Sequence, residues 1–254
     1  MGDFGIETFS EIPSLYPKSI FDFDKAGRGI LIESEMNRYL QTIMEEIEDA
    51  TMKGRSAIVF FETDERLEAF KRSNFWKRVR NGNVLISSSS KKDRDYAIVK
   101  AATPKQVTIS TAIFGRGTDF FCKDTKLEDA GGMKVIQAFL SVEKSEEVQI
   151  QGRTARQGKK GSYGMVLLES DLRKFGIEAG EWSTQGRSEL YDWLDKKRQA
   201  LHEQNLSKLK QKVQDAAECD RETREYVEAL KRNDHEKIKS YLLKYNREYS
   251  LWDL

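Results

Sequence analysis

Val107-Thr108-Ile109-Ser110-Thr111-Ala112-Ile113-Phe114-Gly115-Arg116-Gly117-Thr118-Asp119 opens as a β-branched, apolar run and closes on two glycines that bracket an arginine. β-Branched residues suit a buried, pleated surface, so residues 107–111 read as a strand. The glycines permit a tight loop just past it, presenting Arg116 and Asp119 from a defined backbone. In open parallel sheets ligands sit beyond the carboxyl ends of the strands. Gly115, Arg116, Gly117 and Asp119 are therefore candidate ligand-binding residues. The competing reading is a structural turn in which Arg116 and Asp119 pair with each other.

On either side of this stretch, further short apolar runs occur at Ala57–Phe61, Val84–Ile86, Val135–Leu140 and Gly164–Leu168. Helical spacing lies between them. One helix is expected through Met36, Leu40, Ile43, Met44 and Ile47 with Ser34 as its cap. A second has Thr63 as cap and carries Leu67 and Phe70, and a third spans Lys91 to Ala102. Strands alternating with helices imply βαβ units, hence an α/β fold with a parallel sheet covered on both faces.

A second chemical stretch is Gln149-Ile150-Gln151-Gly152-Arg153-Thr154-Ala155-Arg156-Gln157-Gly158. On a helix, Arg153 and Arg156 would share one face. Neighbouring guanidiniums repel unless an anion lies between them, and a polyphosphate suits their planar donor forks. Gly152 would allow a close approach of backbone or nucleotide. The bland alternative is a pair of surface arginines bonded to carboxylates.

The 254 residues carry 43 Lys and Arg against 42 Asp and Glu, a net charge of +1. No chain-wide basic field for nucleic acid or anionic membrane arises from that balance. Cys122 and Cys219 give neither a disulfide framework nor paired metal-ligand spacing. With only His202 and His235 as histidines, zinc chemistry and a Ser-His-Asp triad lack raw material, and no metal ligands are expected. No apolar run approaches the ~18 residues that span a bilayer, and no signal peptide opens the chain. A soluble, cytoplasmic protein is expected. From Arg187 onward neither Pro nor Gly occurs, and 29 of the 68 residues are charged. Apolar residues there recur at helical spacing, giving one long helix and two shorter ones, with breaks expected near Cys219-Asp220 and Asn233-Asp234.

Together and in this order the two stretches carry a resemblance. The pattern Q-x-x-G-R-x-x-R-x-G resembles the last motif of superfamily-two helicase motors, in the second of their two RecA-like domains. The Gly115–Asp119 loop, followed by Gly131-Gly132-Met133-Lys134-Val135-Ile136, resembles more narrowly the SecA preprotein translocase ATPases. The likeness is specific over residues 107–172 and weaker over 13–103. Departures exist. Thr111-Ala112-Ile113-Phe114 replaces the family's T-N-M-A, residues 139–145 replace an E-R-H-E-S-R-R-like stretch, and Lys159-Lys160 succeeds the R-Q-G where the family has aspartate.

The resemblance implies three segments: 1–52, an N-terminal segment with a leading helix; 53–185, the RecA-like helicase C-terminal domain; and 186–254, an α-helical scaffold-like extension. It implies that ATP with Mg²⁺ is held mainly by a partner, the first RecA-like ATPase domain, in the parent chain or in trans. Arg153 and Arg156 would reach that ATP as catalytic arginine fingers. Gly115, Arg116, Gly117, Asp119, Gln149 and Gly152 would bind nucleotide or couple its state to domain closure. A preprotein and a membrane channel are the further partners implied, which adds a peripheral membrane location; nucleic acid is not expected.

A phosphate loop, G-x-x-x-x-G-K-[ST], is needed to hold a triphosphate. Gly158-Lys159 is the only Gly-Lys pair, with Arg153 five positions earlier and Lys160 after it, so the motif is not formed. The chain alone is expected to be inactive as an ATPase. Ile58–Glu62 with Asp64-Glu65 has the look of a strand ending in Mg²⁺-binding carboxylates, but reads better as a capped helix start. Two alternatives remain, the C-terminal half of a nucleic-acid helicase and a non-enzymatic helical interaction module.

Overall fold

Ala57–Phe61 (β3) is buried at all five positions and forms the middle of a seven-stranded sheet. A strand buried on both faces needs no polar alternation, which is why this one reads as a continuous apolar run. The computed structural model describes residues 8, 10–13, 15–120, 122 and 124–244. The other strands are β1 (Ile20–Asp22), β2 (Ile30–Glu33), β4 (Gly82–Leu85), β5 (Val107–Thr111), β6 (Met133–Gln137) and β7 (Lys160–Leu168). Every pairing is parallel, in the order β1-β7-β6-β3-β5-β4, and β2 pairs with β7 further along the same edge as β1. The helices are α1 (Met36–Met52), α2 (Asp64–Arg72), α3 (Lys91–Ala101), α4 (Thr125–Asp129), α5 (Lys144–Gln151), α6 (Glu169–Leu172), α7 (Leu190–Lys231) and α8 (His235–Lys244).

Side chains alternate across each strand and so build two cores. Val59, Phe61, Ile109 and Ile136 pack with Tyr39, Ile43 and Ile47 of α1 and with Leu67 and Phe70 of α2. On the other face Phe60 meets Phe120 edge-on, with ring centroids 6.4 Å apart. The two residues at the N-terminus of α2 behave as the capped start expected, since Thr63 accepts from the Arg66 amide. Ser34 does not cap α1. That helix begins after Glu35, and no side chain caps it. The strands β1 and β2 escape a reading of the sequence because they are three and four residues long, and β1 is fully exposed.

Two compact units divide the chain, residues 1–199 and 200–254. In the first, the opening turns of α7 are fixed to α5 by a buried ion pair. Arg198, 2% exposed, donates to Glu147, 0% exposed, at 2.5 Å. Glu147 also accepts from Gln151 at 2.9 Å, from Lys144 at 3.0 Å and from the Tyr191 hydroxyl. Such saturation is what makes a buried carboxylate tolerable. In the second unit Tyr226 stacks on Tyr241 with centroids 4.5 Å apart. The expected break at Cys219-Asp220 does not occur, because α7 is continuous to Lys231. Its apolar stripe lapses there, but no Gly or Pro interrupts the run and the Asp220–Arg224 pair at i+4 spacing favours the helix. The break at Asn233 does occur, with φ of 53°. No described helix is long and apolar enough to cross a membrane.

Arg198→Met should destabilise the first unit by about 3–5 kcal/mol in urea unfolding, because it strands a buried carboxylate, and adding Glu147→Leu should recover most of that loss. Burial by itself would raise the Asp195 carboxyl, but its hydrogen bond to Arg198 and that residue's charge hold it below the ordinary carboxylate value. A depressed carboxylate stabilises above its unfolded pKa of ~3.9 and loses that contribution as pH falls through the folded value. Asp195→Asn should therefore flatten the acid limb of the stability curve, with little change in slope above it.

Candidate active site half

Segment 112–120 leaves the carboxyl end of β5, turns through a 3-10 helix at Ala112–Gly115 and runs back along α5. Gly115 makes this possible: a Cβ there would stand 2.6 Å from the Ile150 side chain of α5. Gly117 has φ of +67° in open space, so its glycine serves the turn rather than a close contact. The segment then reaches the end of α5, where Arg153 donates from Nε to the Gln149 carbonyl at 2.9 Å and from its tip to the Thr118 carbonyl. Arg156 pairs with Asp119. Asp119 thus takes Arg156, not Arg116, and the structural turn closed by an Arg116–Asp119 pair is not formed.

Arg153 and Arg156 do not share a helical face, because α5 ends at Gln151 and Gly152 is its C-cap. A Cβ at Gly152 would meet only its own helix carbonyls at 3.4 Å, so no close approach depends on that glycine. Ala155, Gln157 and Gly158 all have left-handed backbone, with φ of 50°, 53° and 80°. This conformation costs a non-glycine residue roughly 1–2 kcal/mol. Thr154 secures the turn between the arginines: it is buried, and its hydroxyl donates to the Met133 carbonyl at 2.7 Å. The left-handed turn is what carries Arg156 round to Asp119. Gly152 and Gly158 bracket the turn in the sequence, but nothing local marks Ala155 and Gln157 as left-handed.

The site also lies at the other end of the strands from the one expected. Met133 and Lys160, the first residues of β6 and β7, line the cavity beside Arg153, Arg156 and Asp119. The arginines therefore stand at the amino ends of these strands, since α5 runs antiparallel to them and delivers its C-terminus there. The cavity holds about 20 Å³, room for about one water. A nucleotide does not fit inside it, but its cationic rim is open. Arg156 has a side chain 43% exposed, Arg153 is half-buried, and Arg116 is exposed with no ion pair among the described residues. Burial lowers the Arg153 pKa, and the neighbouring Arg156 charge lowers it further against the opposing effect of Asp119. Such a rim favours an added anion. Lys159, Lys160 and Cys122 also line the cavity, and no motif in the sequence marks them as site residues. Arg116 and Gln149 do not line it. Among the described residues no group of three or more His, Cys, Asp or Glu could hold a metal ion.

No family model matches the chain. Protein translocase subunit SecA of Campylobacter fetus subsp. fetus is 28% identical over 175 residues, covering 67% of this chain and 20% of the relative. SecA of Parabacteroides distasonis is 34% identical over 134 residues, covering 52% of this chain and 12% of the relative. The chain is SecA-like. It spans about a fifth or less of the length of these two SecA relatives. Among solved structures, that of the Escherichia coli DEAD-box protein SrmB bound to regulator of ribonuclease activity A superposes with a TM-score of 0.47 at 18% identity, covering 59% of this chain and 85% of the chain in that structure.

Removing the carboxylate that shields Arg156 exposes its charge. Asp119→Asn should bind inorganic pyrophosphate more tightly than the unaltered chain in titration calorimetry at low ionic strength. The gain should shrink with added salt.

Proposed function

We propose that this chain is the second motor domain of a SecA-like ATPase and supplies Arg153 and Arg156 to ATP bound by a separate first RecA-like domain. The observation that carries the reading is the open rim on which the two arginines stand together, beside a cavity too small to enclose a nucleotide. The residues fit contact with a terminal phosphate. Arg153 is held at two points of its side chain, and Arg156 has a carboxylate partner that an arriving phosphate would compete with.

The nucleotide, with magnesium, supplies the γ-phosphoryl group and the charge that develops on it. This chain's part is electrostatic: planar donors aimed from a fixed loop stabilise that charge, worth ~10³–10⁵ in rate for arginine fingers elsewhere. Asp119 and Arg116 sit on the same segment and would couple occupancy of the rim to domain closure. By the SecA likeness the work done is polypeptide translocation, with a preprotein and a membrane channel as partners and the cytoplasmic membrane surface as the place of action.

The test mixes this chain with a separately produced first domain that carries the phosphate loop. ATP turnover should rise on mixing, and Arg153→Ala or Arg156→Ala should lower kcat by ~10³ while KM changes far less. Unchanged turnover in both variants would remove the assigned roles.

A further inference from the structure

The near-neutral total conceals a segregation of charge. From Lys71 to Lys105 ten lysines and arginines stand against Asp93 and Asp95, a net of +8, so the remaining residues together carry −7. This stretch builds one edge of the sheet. Its strand, β4, pairs with β5 and with no other strand among the described residues.

Gly82 and Asn83 are successive in β4 and point to opposite faces. A Cβ at Gly82 would meet the Trp76 ring at 2.7 Å, while Asn83 donates from Nδ2 to the Ala97 carbonyl of α3 at 2.9 Å. The 3-10 turn Trp76–Arg78 therefore flanks the edge on one face and α3 on the other. The first face brings Lys77 and Arg78, with Arg80 just beyond. The second brings Lys91, Lys92, Arg94 and Lys100. Arg78 pairs with Glu48, and Lys100 lies over the exposed Tyr96 ring. Arg80, Lys91, Lys92 and Arg94 form no ion pair among the described residues.

We propose that the β4 edge accepts an extended acidic peptide segment as an additional strand. An edge strand offers a row of backbone donors and acceptors spaced for another polypeptide. Side chains of an added strand alternate between faces, so adjacent acidic residues would meet the cations carried on the two faces in turn. A nucleic acid would use the cations but leave the backbone groups of the edge unpaired. A second copy of this edge is repelled by its own charge. The cations that guard the edge against self-pairing thereby select a strand of opposite sign.

The test uses a fluorescein-labelled peptide of about eight residues repeating Glu-Glu-Val-Val, whose adjacent glutamates face opposite sides of an added strand, titrated with the full chain by anisotropy. Saturable binding that weakens with salt is expected. Lys92→Glu with Lys100→Glu should weaken it about tenfold or more. Lys92→Gln with Lys100→Gln serves as the milder pair, and far-UV circular dichroism checks the fold of both. A peptide repeating Glu-Glu-Pro-Pro keeps the charge but removes half the ladder donors in either register, and should lose most of the affinity. Overturning results are no binding of the Glu-Val peptide, equal binding of the Glu-Pro peptide, tighter binding of an oligothymidylate of matched charge, or indifference to both lysine pairs.

Discussion

The contact between segment 112–120 and α5 is the constraint on which the rest of the site depends. Gly115 against Ile150 allows the approach, and Arg153 bonded to the Gln149 and Thr118 carbonyls locks it. Arg153 has already committed donors to backbone, which fixes its direction. Arg156 is placed by three left-handed residues and by the buried Thr154 hydroxyl. Strain of this kind persists only where surrounding contacts over-determine it, and it concentrates at working sites. The two sequence stretches are thus one structural object, assembled at the amino ends of β6 and β7.

The buried Glu147–Arg198 pair extends that object to the start of α7. Glu147 lies five residues before Gly152, and its carboxylate is shared with Gln151, Lys144 and Tyr191. A buried ion pair gives little net stability over an apolar equivalent. What it fixes is geometry. The direction in which α5 ends, and so where Arg153 begins, is held from the side by the first turns of the long helix.

Much of the fold was legible because burial on both faces writes continuous apolar runs. β3 and β5 fall on the expected residues, and the Thr63 cap and α3 arise from local chemistry. The failures share a cause. β1 and β2 are held by pairing with β7 rather than by their own composition, and nothing local marks them. α7 runs on past Cys219 with no Gly or Pro to stop it and with ion pairs at i+3 and i+4 spacing that favour it, which an apolar count overlooks. At the site the residue types were readable and their arrangement was not. Asp119 lies 37 positions from Arg156, and a left-handed Ala155 leaves no trace in composition. Charge was misleading in the same way, since a total of +1 hides the +8 of residues 71–105.

If Arg153 and Arg156 meet the terminal phosphate of a nucleotide held by another domain, their guanidinium groups must sense it. The ¹⁵Nε resonances of these two residues, recorded in the complex with a phosphate-loop first domain, report on that contact. Both should shift when a non-hydrolysable ATP analogue is added and return toward their free positions with ADP. Identical spectra with the triphosphate analogue and with ADP would rule the contact out.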